Sequence, residues 1–165
     1  MDLVGELPRL RRYARALTGD KHRADDLVQD TVERALHKAA LWRRGSKLDA
    51  WLMTLMHNIF INQWRAGRKE AGATLDELPS EPCTRPSQSD ALEVRDLHAA
   101  LARLPLEQRA VLLLVTLDER SYEEAAAILD IPLGTVMSRL SRARERLRRE
   151  LAGETAAAGA LKVVK

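Results

Sequence analysis

The side chains best placed to do chemistry are basic and hydroxylic residues at helical spacing between positions 135 and 149. Thr135, Ser138, Arg139, Arg142, Arg146 and Arg149 share a surface on a helical projection. They lie off a stripe of Val136, Leu140, Ala143, Leu147 and Leu151. Six arginines stand against two glutamates between Ser138 and Glu150. Such a face can hold phosphates and read base edges, or it can be the solvated side of an ordinary amphipathic helix. The preceding residues favour the first. Ser121 and Glu124 form a capping box that starts a helix at Tyr122, and Ala125 and Ala126 keep its inner face small. Asp130-Ile131-Pro132-Leu133-Gly134 then breaks the run, with Pro132 suited to the first turn of the next helix. A capped helix, a tight turn and a long basic helix make a helix-turn-helix. Its second helix is expected in a major groove, with its N-terminal half at base edges and its arginines on phosphates.

A second group of functional types lies earlier. Asn58, Asn62, Arg65 and Arg68 fall at i, i+4, i+7 and i+10, beside a stripe of Leu48, Trp51, Leu52, Leu55 and Ile59. The segment before them, Trp42-Arg43-Arg44-Gly45-Ser46-Lys47, is a basic loop next to an indole, and Ser46 can cap the helix that follows. Positive charge for phosphates, amides for base edges and a ring for stacking are what a single-stranded nucleic acid requires. Trp51 reads as core, Trp42 leans towards exposure, and Trp64 is open between the two. A third group, Asp26, Gln29, Asp30, Glu33 and Arg34, reads on its own as a polar helix surface in water.

The elements that carry these groups are helices throughout. Leu3, Leu7, Leu10, Tyr13, Ala14 and Leu17 make one apolar face, and Thr18-Gly19-Asp20 ends that helix and opens the next. The second helix runs from His22 to about Ala40, with Leu27, Val28, Thr31, Val32, Ala35 and Leu36 inward. The third runs from Leu48 to about Gly67. Residues 71–90 are turn-rich, with three prolines, and read as a flexible linker. Beyond it Ser89 can cap a helix carrying Leu92, Leu97, Leu101 and Leu104. Pro105 starts another, whose Ala110 to Leu117 stretch is apolar all round and belongs at the centre of a small bundle. Residues 153–165 carry no periodicity and read as a frayed tail. The fold class is therefore all-α: two small helical domains, 1–70 and 91–152, the second a helix-turn-helix domain, joined by the linker.

Composition agrees. Six aromatic residues in 165 and few alternating β-branched runs suit helices better than sheets. Net charge is +3, but residues 1–70 carry fourteen basic against nine acidic side chains, while 71–97 carry two against six. Two basic blocks flank an acidic middle, as suits contact with an anionic polymer. Cys83 is the single cysteine, so no disulfide framework or cysteine-built zinc site is expected within the chain. The most apolar run, Ala110 to Leu117, is too short to span a membrane, and a cytoplasmic protein is expected. His22, His37, His57 and His98 do not pair at metal-ligand spacing, and no phosphate-binding glycine loop, GxSxG or HExxH is present. No catalysis, cofactor, metal or small-molecule substrate is expected.

Taken together, residues 5 to 151 resemble the compact two-domain sigma factors of bacterial RNA polymerase, the extracytoplasmic-function group of the sigma-70 family. Asp26-Leu27-Val28-Gln29-Asp30 resembles the D-x-x-Q-E run of that family, with Asp30 in the place of glutamate. The resemblance implies that Asp26, Gln29, Asp30 and Arg34 bind the clamp coiled coil of core polymerase, which reverses the reading of that face as plain solvated surface. His57 to Arg65 resembles the family's N-x-x-x-D-x-x-R segment at the melted downstream element. Asn58 and Arg65 match, and Asn62 stands where aspartate is common. The loop Trp42, Arg43, Arg44, Ser46, Lys47 sits where members capture a flipped base. Tyr122 to Ala126 and Gly134 to Arg144 resemble the upstream-element reader. Ser138, Arg139 and Arg142 match positions that face DNA, and Met137 stands where many members carry a basic residue. The implied partners are core RNA polymerase, promoter DNA and an anti-sigma factor that masks both halves and could hold the protein at the membrane. Two other readings compete: a stand-alone helix-turn-helix regulator that dimerises on a palindrome, and a sigma-like decoy that binds an anti-sigma factor and never DNA. The lack of an evident dimerisation helix disfavours the former, and the intact basic face of 138–149 disfavours the latter.

Overall fold

A computed structural model of the chain describes residues 1–71 and 89–153, and among them every regular element is helical. The order is α1 Leu3–Thr18, α2 Lys21–His37, a 3-10 turn at Ala39–Leu41, α3 Leu48–Ala71, α4 Ser89–Ala102, α5 Leu106–Thr116, α6 Tyr122–Leu129 and α7 Leu133–Ala152. Most of the linker, Cys83, the side chain of Leu92, the capping side chain of Ser89 and the tail beyond Gly153 lie outside the described residues.

Local chemistry sets the ends. The Asp2 carboxylate accepts from the Gly5 N–H to open α1. Gly19, at φ 72°, closes it in the left-handed conformation that costs glycine nothing. Asp20 then caps α2 through the Arg23 N–H. In the second half Ser121 Oγ accepts from the Glu124 N–H and Glu124 Oε2 from the Ser121 N–H, both at 3.1 Å, so the capping box is complete. Asp130 ends α6 at φ 54°, and Pro132 stands just ahead of α7, its carbonyl accepting from the Thr135 and Val136 N–H groups.

Several expected positions move. Leu36 is exposed because Val28, Thr31 and Ala35 already fill the inward line of α2 and Leu36 sits a hundred degrees round from Ala35. Leu97 and Leu151 are exposed because the first turns of α4 and the last turn of α7 project past their neighbours; burial begins at Ala100 and ends at Ala143, with Leu147 half-buried. Helix α3 continues through Gly67 to Ala71. One glycine costs a helix only about 1 kcal/mol, and Arg68 stacked over the Trp64 ring, 4.4 Å from its centroid, supports the last turns. Ser46 does not cap α3: its hydroxyl and its backbone N–H both donate to the Arg43 carbonyl, closing a turn with Gly45 at φ 97°.

Instead of standing apart, the two halves pack on one another. Helix α3 lies against α6, and α1 against α5, so a single apolar cluster runs from Leu10, Tyr13 and Leu17 through Leu52, Met53 and Met56 to Leu106, Val111 and Leu114. Helix α5 is the centre of the second half, with Ala110 to Leu114 all buried, as its uniformly apolar sequence requires. Arg109 enters this core beside them. Its guanidinium donates to the carbonyls of Leu104, Ala102 and, across the halves, Leu17 at 2.8 Å. Burial draws its pKa down to about 10.

Candidate nucleic-acid interface

The reader helix α7 buries Val136, Leu140 and Ala143 against α5 and α6, which turns the opposite residues outward. Ser138, Arg142 and Arg146 are exposed, Met137 is 48% exposed, and Thr135 and Arg139 are half-buried. Among the described residues Arg142 and Arg146 carry no ion pair, whereas Arg139 lies 3.5 Å from Glu107 and Arg148 and Arg149 share Glu145. These two arginines hold the Glu145 carboxyl below its ordinary range. Of the α7 arginines without an ion pair among the described residues, Arg142 and Arg146 lie on the reader face and Arg144 on the flank towards α6. Met137, Tyr122, Ser141, Arg144 and Arg148 line an open cleft of about 450 Å³ between α6 and α7.

Asn58, Asn62 and Arg65 are exposed along α3. Arg68 is half-buried on Trp64, and Trp64 itself packs against the core, which resolves the open reading of that residue. Trp51 packs against the core as expected. Trp42 is not exposed: the 3-10 turn folds it half inward and leaves its indole Nε1 buried, with no hydrogen-bond partner among the described residues. The loop Arg43, Arg44, Ser46 and Lys47 is exposed, and Lys47 Nζ lies 2.6 Å from Glu124 of α6.

On α2, Asp26, Gln29 and Arg34 are exposed, and Asp30 is half-buried, accepting from Gln63 Nε2 at 2.6 Å. That bond joins α2 to α3. Asp30 and Arg34 line a cleft of about 350 Å³ with Asn62 and Gln63, so the acidic face and the amide face meet edge to edge.

Other charged side chains were not apparent from helical spacing. Asp49, Arg9, Asp118 and Arg120 gather where the halves meet, and on α3 the half-buried His57 has no hydrogen-bond partner for Nδ1 among the described residues. Burial first, and then the charge of Arg139, depress His57 to about 4. Tyr13 is fully buried, its hydroxyl has no partner among the described residues, and burial followed by the Asp118 charge raises its pKa. Only a charged residue within an apolar stretch, such as Arg109 beside Ala110 to Leu114, hinted at such roles in the sequence.

Comparison with known proteins fits this geometry. Residues 3–57 match the family model described as the Sigma2 domain of PhyR, and residues 95–147 match that described as Sigma-70, region 4. The chain is 40% identical over 146 residues to the ECF RNA polymerase sigma factor EcfG of Rhodopseudomonas palustris, covering 88% of this chain and 81% of that one. It is 34% identical over 140 residues to the ECF RNA polymerase sigma factor SigM of Bacillus subtilis, covering 83% and 85%. Among solved structures it is similar to the sigma factor RpoE of Bartonella quintana in complex with the anti-sigma factor NepR, with TM-score 0.79, 38% identity and coverage of 92% and 94%. The anti-anti-sigma factor PhyR of Bartonella quintana shares the fold at 20% identity and TM-score 0.58, covering 86% and 47%.

Proposed function

Because the chain belongs to the ECF RNA polymerase sigma factors, we propose that it is a promoter-specificity subunit that binds core polymerase with its first half and reads a promoter with both. Asp26, Gln29, Asp30 and Arg34 dock on core. The loop from Trp42 to Lys47 with Asn58, Asn62, Arg65 and Arg68 holds the melted downstream strand by charge, amide contacts and stacking. Thr135, Met137, Ser138, Arg139, Arg142 and Arg146 hold the upstream element as duplex. The observation that carries this reading is the exposed Ser138, Arg142 and Arg146 surface on a capped helix-turn-helix, in one chain with the exposed acidic face of α2. Simultaneous engagement of two weak sites raises the effective affinity of each. An anti-sigma factor is the expected regulator, since the related RpoE is solved in complex with one.

Run-off transcription with core polymerase on a library of upstream regions tests the reading. The chain should start transcription at a defined set of sites, and the Asp26→Ala/Gln29→Ala variant should not. No initiation and no core binding, together with a gel shift by the chain alone, would hand the role to the stand-alone regulator.

The decoy reading keeps one specific support, the match of residues 3–57 to a model named for PhyR. A decoy has no use for an unpaired arginine face, so binding to an anti-sigma factor without any binding to duplex would be its signature.

A further inference from the structure

Four charged side chains join the halves in an unusual order. Within the first half, Arg9 Nη1 of α1 donates to Asp49 Oδ2 of α3 at 3.0 Å. Within the second, Arg120 Nε donates to Asp118 Oδ2 at 2.6 Å in the turn between α5 and α6. The two pairs then cross. Arg9 Nε stands 2.9 Å from Asp118 Oδ1, and Arg120 Nη2 stands 2.9 Å from Asp49 Oδ2. Both crossing contacts are ion pairs. Each half has its own pair, and charge attraction between the pairs adds to the apolar packing of α1 and α3 on α5 and α6 in holding the halves together. With Asp118 and Arg120 almost fully buried, water screens that attraction poorly.

The charged part of this contact separates without stranding a charge. Truncating one partner of a buried pair strands a charge, whereas parting these halves leaves Arg9 with Asp49 and Arg120 with Asp118. What is lost besides is the Arg109 bond to the Leu17 carbonyl, the Arg12 contact with the Leu117 carbonyl, the Lys47 pair with Glu124 and the apolar packing of α1 and α3 on α5 and α6. Closure has a geometric consequence too. Lys47 of the downstream loop lies 2.6 Å from Glu124 of the helix-turn-helix, and α3 packs on α6, so the two DNA-facing segments lie side by side. Segments in contact cannot hold two promoter elements more than one duplex turn apart, about 34 Å.

We propose that the crossed Arg9–Asp49 and Asp118–Arg120 pairs are a latch that keeps the free chain closed and unable to engage both promoter elements until the halves part. This rests on the promoter reading above. The latch makes opening a step that core polymerase or DNA must drive, with the differential contacts each gains in the open form.

The test is made on the full chain in a Cys83→Ser background, with donor and acceptor dyes at Lys21→Cys and Glu123→Cys, both exposed positions. Arg9→Asp/Asp49→Arg keeps the pair inside the first half and turns both crossing contacts into like-charge repulsion. Arg9→Gln/Asp49→Asn removes them more gently. Wild type should show high energy transfer that falls when core polymerase and promoter are added. Both variants should show low transfer in the free chain, with unchanged helical circular dichroism, and initiate several-fold more at limiting core. As a lock, Arg12→Cys/Thr116→Cys is bridged by a short bis-maleimide, since Arg12 reaches the Leu117 carbonyl. The bridged protein should lose initiation, and the same protein capped with monofunctional maleimide should retain it. Wild-type transfer in the charge-reversed variant, or full initiation by the bridged protein, overturns the latch. If the chain initiates nowhere yet charge reversal opens it, the promoter reading falls and the closure stands.

Discussion

Lys47 Nζ and Glu124 Oε1 lie 2.6 Å apart, so the basic loop before α3 is tied to the residue that also completes the cap of α6. Lys47, then the Ser121 N–H, draw the Glu124 carboxyl down to about 2. Glu124→Gln retains an acceptor for the Ser121 N–H and removes the ion pair. With Lys47 71% exposed, the pair contributes under about 1 kcal/mol, and thermal unfolding should barely move. Affinity for a labelled single-stranded downstream oligonucleotide should rise at low salt, because Lys47 no longer leaves a carboxylate to reach phosphate; fluorescence anisotropy reads this. The carboxyl titrates lower in the folded chain, so its contribution is present above about 4.5 and is lost as pH falls towards 2.

Much of this fold is local and therefore legible in sequence. The capping box at Ser121 and Glu124, the Gly19 terminus and the Val136, Leu140, Ala143 stripe each need only a few neighbouring residues to specify them. Where legibility failed, the cause was tertiary. Leu97 obeys the helical period of α4 yet projects beyond its partners, and Trp42 turns inward through a 3-10 turn that no spacing announced. The exposed reader face follows from periodicity, but the closed arrangement does not: Arg9 meets Asp118 across more than a hundred residues, and nothing in the pattern of either segment names the other.

His57 makes folding stability sensitive to acid. Burial and the charge of Arg139 lower its pKa from 6.5 to about 4, so the unfolded chain takes a proton that the folded chain refuses. Stability should fall as pH drops from 6.5 to about 4 and level off below. The gap corresponds to ~3 kcal/mol at most. Urea unfolding at neutral and mildly acid pH checks it, and His57→Gln should remove this part of the slope while leaving the part due to carboxylates. An identical slope in the variant would mean that His57 is solvated in solution.

Ser121→Ala removes the acceptor for the Glu124 N–H at the start of α6. A loss of ~1 kcal/mol is expected, within the usual range for such caps. Because α6 packs on both α3 and α7, the loss should appear in the main thermal transition and not as local fraying. Ser121→Asp, which retains an acceptor, should restore most of it.

Arg142 and Arg139 should behave differently towards duplex DNA although they sit one turn apart on α7. Arg142 is exposed and carries no ion pair among the described residues, whereas Arg139 is half-buried and lies 3.5 Å from Glu107. Arg142→Ala should weaken upstream-element binding by about 1 to 3 kcal/mol if the guanidinium reads a base, with the preference relaxed at one position. A uniform loss across sequences, with a shallower salt dependence, would make it a phosphate contact. Arg139→Ala should cost less, because the native side chain gives up Glu107 before it can reach DNA; Glu107→Gln should therefore tighten binding in wild type and have no effect in the Arg139→Ala background. Gel-shift titrations on a panel of single-base variants, at two salt concentrations, separate these outcomes. Equal losses for the two arginines would mean that the Glu107 pair does not hold Arg139 back in the complex.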